Sequence, residues 1–139
     1  MSDEEIARVV FGEARGEPYQ GQLGVAYTIF NRSRHPGYLN SPRDILYERA
    51  TDGRHKYETL DDAGHTQAWS KAKQTRNDEY TSAMRAAQAA RSGSEPDPTR
   101  GATDFASKQN WPSVSDNQYW RATNKTQIGN QWFVGREKK

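Results

Sequence analysis

The sequence predicts a mostly helical α+β domain. Three observations lead there: apolar residues recur at helical spacing through the first two thirds of the chain, a turn-rich break follows at 92–101, and a Gly-Asn pair near the end is flanked by short strand-like runs. At 139 residues the chain has room for one core and is read as one domain, 1–139. That core must be economical, because 32% of residues are hydrophobic against 27% charged. The 4 Trp and 7 Tyr supply much of the burial that the few aliphatic residues leave undone.

Ser2 and Glu5 form a capping box, and Asp3 and Glu4 suit the positive end of a helix dipole. The first helix is expected from about Asp3 to Arg15, ended by Gly16, with Pro18 opening the next. The second runs from Tyr19 to about Arg34 on Leu23, Ala26, Ile29 and Phe30, with Gly21 and Gly24 allowing a close neighbour. HPGYLNSP is turn chemistry, after which Ser41 and Pro42 start a short helix through Asp44, Ile45, Leu46 and Tyr47. Thr51 to His65 shows no period and reads as a loop or distorted hairpin, the sort of long irregular segment that often carries function.

Thr66 to Lys73 is expected to be helical. Asn77 caps a further helix with Tyr80, Ala83, Met84, Ala87 and Ala90 on its core face and Gly93 closing it. Beyond SGSEPDPTRG, Ala102 to Ser107 reads as a strand, and Lys108 to Asn124 as polar surface coil carrying Trp111, Tyr119 and Trp120. Thr126–Ile128 and Gln131–Val134 then form a hairpin across Gly129 and Asn130.

Chemistry concentrates at Glu13. Ile6, Val9, Val10 and Glu13 share one helical face, which puts a carboxyl on the buried stripe. Burial raises a carboxyl's pKa and fits it to protonate a leaving oxygen, as glycoside cleavage requires. The plain alternative is a Glu at a frayed helix end, solvated or paired with Arg15 or Arg32. A second carboxylate would come from Glu17, Glu58 or Asp104, each with an ordinary structural reading; the spacing of such a pair decides between retention and water attack.

Other chemistries find less support. The absence of Cys removes disulfides and thiolate sites, and His35, His55 and His65 show no HExxH helix or short His pair, so no metal and no cofactor is expected. There is no GxSxG elbow and no phosphate-cradling loop. Trp111, Tyr119 and Trp120 could stack on bases or on sugar rings. Net charge is +2, from scattered basic residues with a small cluster in the GREKK tail, and implies weak attraction to anionic polymers. The acidic start MSDEEIARVV has no signal-peptide pattern, and no segment is long and apolar enough to span a membrane.

GEARGEPYQGQLGVAYTIFNR resembles the opening motif of the SleB/CwlJ cell wall hydrolases, DPTRGATDF resembles their DPT-x-GA segment, and IGNQWFV resembles their closing IGN-x-x-F element. The resemblance covers about Ile6 to Val134. It implies a lysozyme-like fold related to lytic transglycosylases, acting on peptidoglycan glycan strands, with Glu13 as the acid. Lys56, Tyr57 and Glu58 stand where the family often has a Gln-Phe-Ser type motif, and Gln131 where it often has His. These departures leave the proton donor in place and bear on sugar binding.

The expected activity is cleavage between N-acetylmuramic acid and N-acetylglucosamine, as lytic transglycosylase or muramidase. Gln22 is expected to hold substrate or orient Glu13, and Tyr57, Glu58, Asp104 and Phe105 to line the groove. The expected partner is the glycan strand, with no nucleic acid and no membrane insertion, acting as a monomer. Without an export signal, the expectation is a phage-endolysin type that waits in the cytoplasm until released to the wall. The alternatives are a non-catalytic wall-binding or structural virion module, and an amidase cutting the peptide side chain.

Overall fold

The computed structural model describes residues 1–107 and 124–135. Trp111, Tyr119, Trp120, residues 108–123 of their expected coil and the charged end of the tail lie outside the described residues, while Asn124, the last of that coil, is in a strand. Five α-helices precede a three-stranded sheet: α1 (Asp3–Ala14), α2 (Tyr19–Ser33), α3 (Pro42–Leu46), α4 (Ala63–Thr75), α5 (Asp78–Ser92), then β1 (Asp104–Ser107), β2 (Asn124–Ile128) and β3 (Gln131–Gly135). The class is the predicted mostly helical α+β.

Local signals place most of the helix ends. The Ser2 hydroxyl accepts from Glu5 N–H while the Glu5 carboxylate accepts from Ser2 N–H, completing the capping box. Asn77 caps α5 through Tyr80 N–H, and Gly93 closes it at φ +72°. Ser41 caps α3 through Asp44 N–H.

α1 and α2 both pack on α5 around Ile6, Val9, Val10, Leu23, Val25 and Ile29, all essentially inaccessible to water. Of the two glycines expected to admit a neighbour, Gly24 does so. A Cβ there would stand 2.8 Å from Thr99 Cγ2 and 3.0 Å from the Phe133 ring, whereas at Gly21 its contacts would be ordinary, at 3.5 Å or more. The sheet therefore seats on α2 at Gly24.

The irregular segment is a distorted hairpin, with an antiparallel Arg49–His55 bridge, followed by a 3₁₀ turn, Glu58–Leu60. Its end needs correction, because α4 begins at Ala63 rather than Thr66. The cause is Asp62, whose side chain accepts from His65 N–H as an N-cap. Its neighbour Asp61 instead accepts from the His55 backbone N–H at 2.7 Å.

The sheet has order β1-β3-β2, all antiparallel, with Phe105 opposite Phe133 and Thr126 also opposite Phe133. The hairpin turn is the expected Gly129-Asn130 pair, with Gly129 at φ +58°. Strand β1 starts at Asp104 rather than Ala102 because the preceding residues belong to a loop knotted on Asp97. Asp97 accepts from Thr99 N–H and hydroxyl, Gly101 N–H and the Asn31 amide. The same Asn31 amide donates to Ala102 carbonyl at 2.9 Å. The DPTRGATDF stretch is thus moored to α2, which fixes where Asp104 emerges.

Candidate active site

Glu13 lies on the last turn of α1 and is half-buried at a cleft of about 350 Å³, lined by Glu13, Arg32, Tyr38, Lys56, Tyr57, Asp104 and Phe105. The residue before it explains how the cleft is built. A Cβ on Gly12 would fall 1.7 Å from Thr59 Oγ1, so only glycine lets the 3₁₀ turn lie flat against the helix. Thr59 is buried in that contact, and its chain neighbours Tyr57 and Glu58 are carried beside Glu13.

The electrostatics favour a proton on Glu13. Burial raises its pKa from the ordinary carboxylate value, the negative charge of Glu58 raises it further, and Arg32 opposes the two. Among the described residues no cation forms an ion pair with it. Arg15 lies over the Phe11 ring, 4.6 Å from its centroid. Arg32 spends its guanidinium elsewhere: Nε donates to Thr103 carbonyl at 2.5 Å, Nη1 donates to the Tyr57 hydroxyl at 2.8 Å, and Nη2 stands 3.7 Å from Asp104 Oδ1. It lies between two rings, 5.3 Å from Tyr38 and 5.5 Å from Tyr57. The solvated or arginine-paired Glu of the plain reading is not what the fold builds.

Asp104 is buried and well supplied with donors. Tyr38 hydroxyl donates to Oδ1 at 2.6 Å and Thr103 hydroxyl to Oδ2 at 3.0 Å. It lines the cleft as the fixed partner of Arg32 and Tyr38. Tyr57 and Phe105 also line it, while Glu58 is exposed on the adjoining turn.

Two carboxamide and carboxylate expectations are not met by position. The structure does not bring Gln22 to the cleft: its Nε2 donates to Glu17 carbonyl at 3.1 Å and its Oε1 accepts from Ser82 hydroxyl at 2.7 Å, so the side chain ties α2 to α5. Glu17 faces the hairpin, accepting from Asn130 N–H at 2.8 Å.

Arg32, Tyr38 and Lys56 are cleft residues that the sequence reading did not assign to the groove. Arg32 carried one signal, a cation on the helix that faces α1. Gln131 does not line the cleft but touches its acid's backbone: from the start of β3 its Nε2 donates to the main-chain carbonyl of Glu13 at 3.1 Å.

The cleft adjoins two further hollows. It shares Tyr38 with a shallow one of about 570 Å³ bordered by Arg34, His35, Leu39 and Asn40. It shares Lys56 with one of about 380 Å³ bordered by Asp52, Arg54, His55 and Asp61. His55 Nδ1 is within 2.8 Å of Asp61 Oδ1, and the His35 ring accepts from Gly37 N–H. Among the described residues, no three His, Cys, Asp or Glu side chains gather as metal ligands would. No described helix is long and apolar enough to cross a membrane.

Residues 16–134 match the family model described as Cell Wall Hydrolase, a span that opens three residues after Glu13. Among curated proteins, a spore cortex-lytic enzyme of Bacillus subtilis is 46% identical over 43 residues, and one of Halalkalibacterium halodurans is 44% identical over 50. Those segments take up 31% and 34% of this chain but 14% and 15% of the two relatives, so the match covers a small part of their length. Two solved structures superpose over 95% of the chain at a TM-score of 0.62. One is the catalytic domain of the Bacillus cereus SleB protein (24% identity, 88% of that chain). The other is the catalytic domain of the germination-specific lytic transglycosylase SleB from Bacillus anthracis (25% identity, 92% of that chain).

Proposed function

Because the chain belongs to the cell wall hydrolase family, we propose that its cleft cuts peptidoglycan glycan strands between N-acetylmuramic acid and N-acetylglucosamine, with Glu13 as general acid and then base. The observation that carries this reading is a carboxyl held partly out of water, free of any ion pair among the described residues, at a cleft that shares lining residues with two adjoining hollows.

Protonated Glu13 donates to the bridging oxygen as the bond to the anomeric carbon lengthens. The oxocarbenium charge that develops meets the cleft's oxygen dipoles. Glu13, now ionised, takes the proton from the attacking hydroxyl. Attack by the sugar's own 6-hydroxyl leaves a 1,6-anhydro end; attack by water leaves a reducing end.

The first route has the better support. A water-activating base needs an available carboxylate across the cleft. Asp104 is occupied by Tyr38, Thr103 and Arg32, Glu17 is turned to the hairpin, and Glu58, exposed on the adjoining turn, raises the pKa of Glu13 by its negative charge.

Two measurements test this. Wild type should clear a suspension of purified peptidoglycan and Glu13→Gln should not; equal clearing would remove Glu13 from the mechanism. Mass spectrometry should find products lighter by one water than a hydrolase would release. Release of intact glycan strands, or tight binding with no cleavage, would replace the glycosidic reading with an amidase or a binding module.

A further inference from the structure

We infer that Gln131 is a positioning residue for the acid, holding the end of α1 so that Glu13 stays aimed across the cleft. This rests on the reading of Glu13 as proton donor.

The carbonyls of a helix's last turn lack intrahelical partners and must find others. At the end of α1, Arg15 N–H returns to Phe11 carbonyl and Glu17 N–H turns to Ala14 carbonyl at 3.0 Å, which leaves the Glu13 carbonyl to an outside donor. That donor is Gln131 Nε2, at 3.1 Å and 118 residues away in sequence. The remainder of the hairpin turn grips the same junction. Asn130 N–H and side-chain amide donate to the Glu17 carboxylate at 2.8 and 3.4 Å, and a Cβ on Gly129 would come within 2.7 Å of Pro18 Cδ. The IGNQ stretch is therefore a brace on the helix end that bears the acid.

The other half of the Gln131 amide argues that the brace serves the site rather than the fold alone. Gln131 is 7% exposed, and its Oε1 is buried with no hydrogen-bond partner among the described residues. It lies 3.6 Å from where a Cβ on Gly21 of α2 would stand. Burying an unsatisfied oxygen works against folding and offsets what the Nε2 bond contributes. An apolar side chain of the same length would fold about as well. What it would lack is the N–H on Glu13.

The test is Gln131→Met, which keeps length and volume and removes the donor, beside Gln131→His, which restores a ring N–H. Ser82→Ala serves as a control that deletes a hydrogen bond between α2 and α5, away from the cleft. On solubilised glycan strands, Gln131→Met should lose kcat by about 10- to 100-fold, the scale of a small misplacement of a catalytic group, with KM within about twofold of wild type. Its Tm should stay as close to wild type as that of Ser82→Ala, and Gln131→His should recover most of the lost kcat.

Unchanged kcat in Gln131→Met overturns the inference. So does a fall in kcat matched by a collapse of Tm, or an equal fall in the Met and His variants. Activity in Glu13→Gln would instead overturn the proton-donor reading itself, so the two failures are distinguishable.

Discussion

Gly12→Ala is the most severe single-methyl perturbation the cleft offers. The added Cβ would stand 1.7 Å from Thr59 Oγ1, 2.4 Å from Cβ and 2.8 Å from Cγ2, so no rotation of the threonine relieves the overlap and the 3₁₀ turn must retreat as a unit. Overpacking of this kind sits at the upper end of its usual cost, about 3 kcal/mol. Replacing a helical glycine with alanine returns about 1 kcal/mol of helix propensity. The net loss of about 2 kcal/mol corresponds to a fall of about 8 °C in the Tm of a domain this size.

Tyr57 and Glu58 would move with the turn, so Glu13 would lose burial and a neighbouring negative charge together. Its pKa would fall toward the ordinary carboxylate value, and the basic limb of the pH–activity profile would move to lower pH. Thermal unfolding and peptidoglycan clearing across a pH series measure both effects. The double variant Gly12→Ala/Thr59→Gly, which removes all three clashing atoms, should recover the basic limb. A single variant with wild-type Tm and pH profile would refute the view that the glycine contact builds the site.

Further predictions concern charge and the hairpin. Since a raised pKa keeps the acid protonated, activity should decline as pH rises through it, and Glu58→Gln should shift that decline to lower pH; a profile unmoved by Glu58→Gln would sever the link between the two carboxyls. The same sign applies to stability: burial of Glu13 disfavours its charged form, so Glu13→Gln should be more stable than wild type at neutral pH, with the difference vanishing below the ordinary carboxylate range in urea melts. Arg32→Met should destabilise by about 3 kcal/mol in urea unfolding, because Asp104 would keep its Tyr38 and Thr103 donors but lose its buried cation. Gly129→Ala should lower stability by about 1–2 kcal/mol, measured by thermal unfolding, since alanine resists φ +58° and its methyl would crowd Glu17 Oε1 at 2.6 Å.

Much of the scaffold was legible residue by residue, and for one reason. The Ser2–Glu5 box, the Asn77 and Ser41 caps, the Gly93 stop and the Gly129-Asn130 turn all act within about four residues, so residue type and spacing suffice to state them. The apolar stripe through Ile6, Val9 and Val10 likewise placed Glu13 on the inner face of α1. Asp62 shows the limit even at short range: two adjacent acids, one a helix cap and the other the partner of His55, are alike on paper.

What only the tertiary structure decided is how distant groups share donors and acceptors. Gln22 looks like a polar group beside Glu13 until Ser82, sixty residues on, takes its oxygen. Asp104 looks like a free carboxylate until Arg32 and Tyr38 reach it from α2 and the turn beyond. Gln131 stands out in the sequence only as a departure that bears on sugar binding, until β3 sets it against the Glu13 carbonyl. Periodicity tells which face of a helix is buried, but hydrogen-bonding capacity is allotted in three dimensions, and a carboxyl's pKa depends on that allotment.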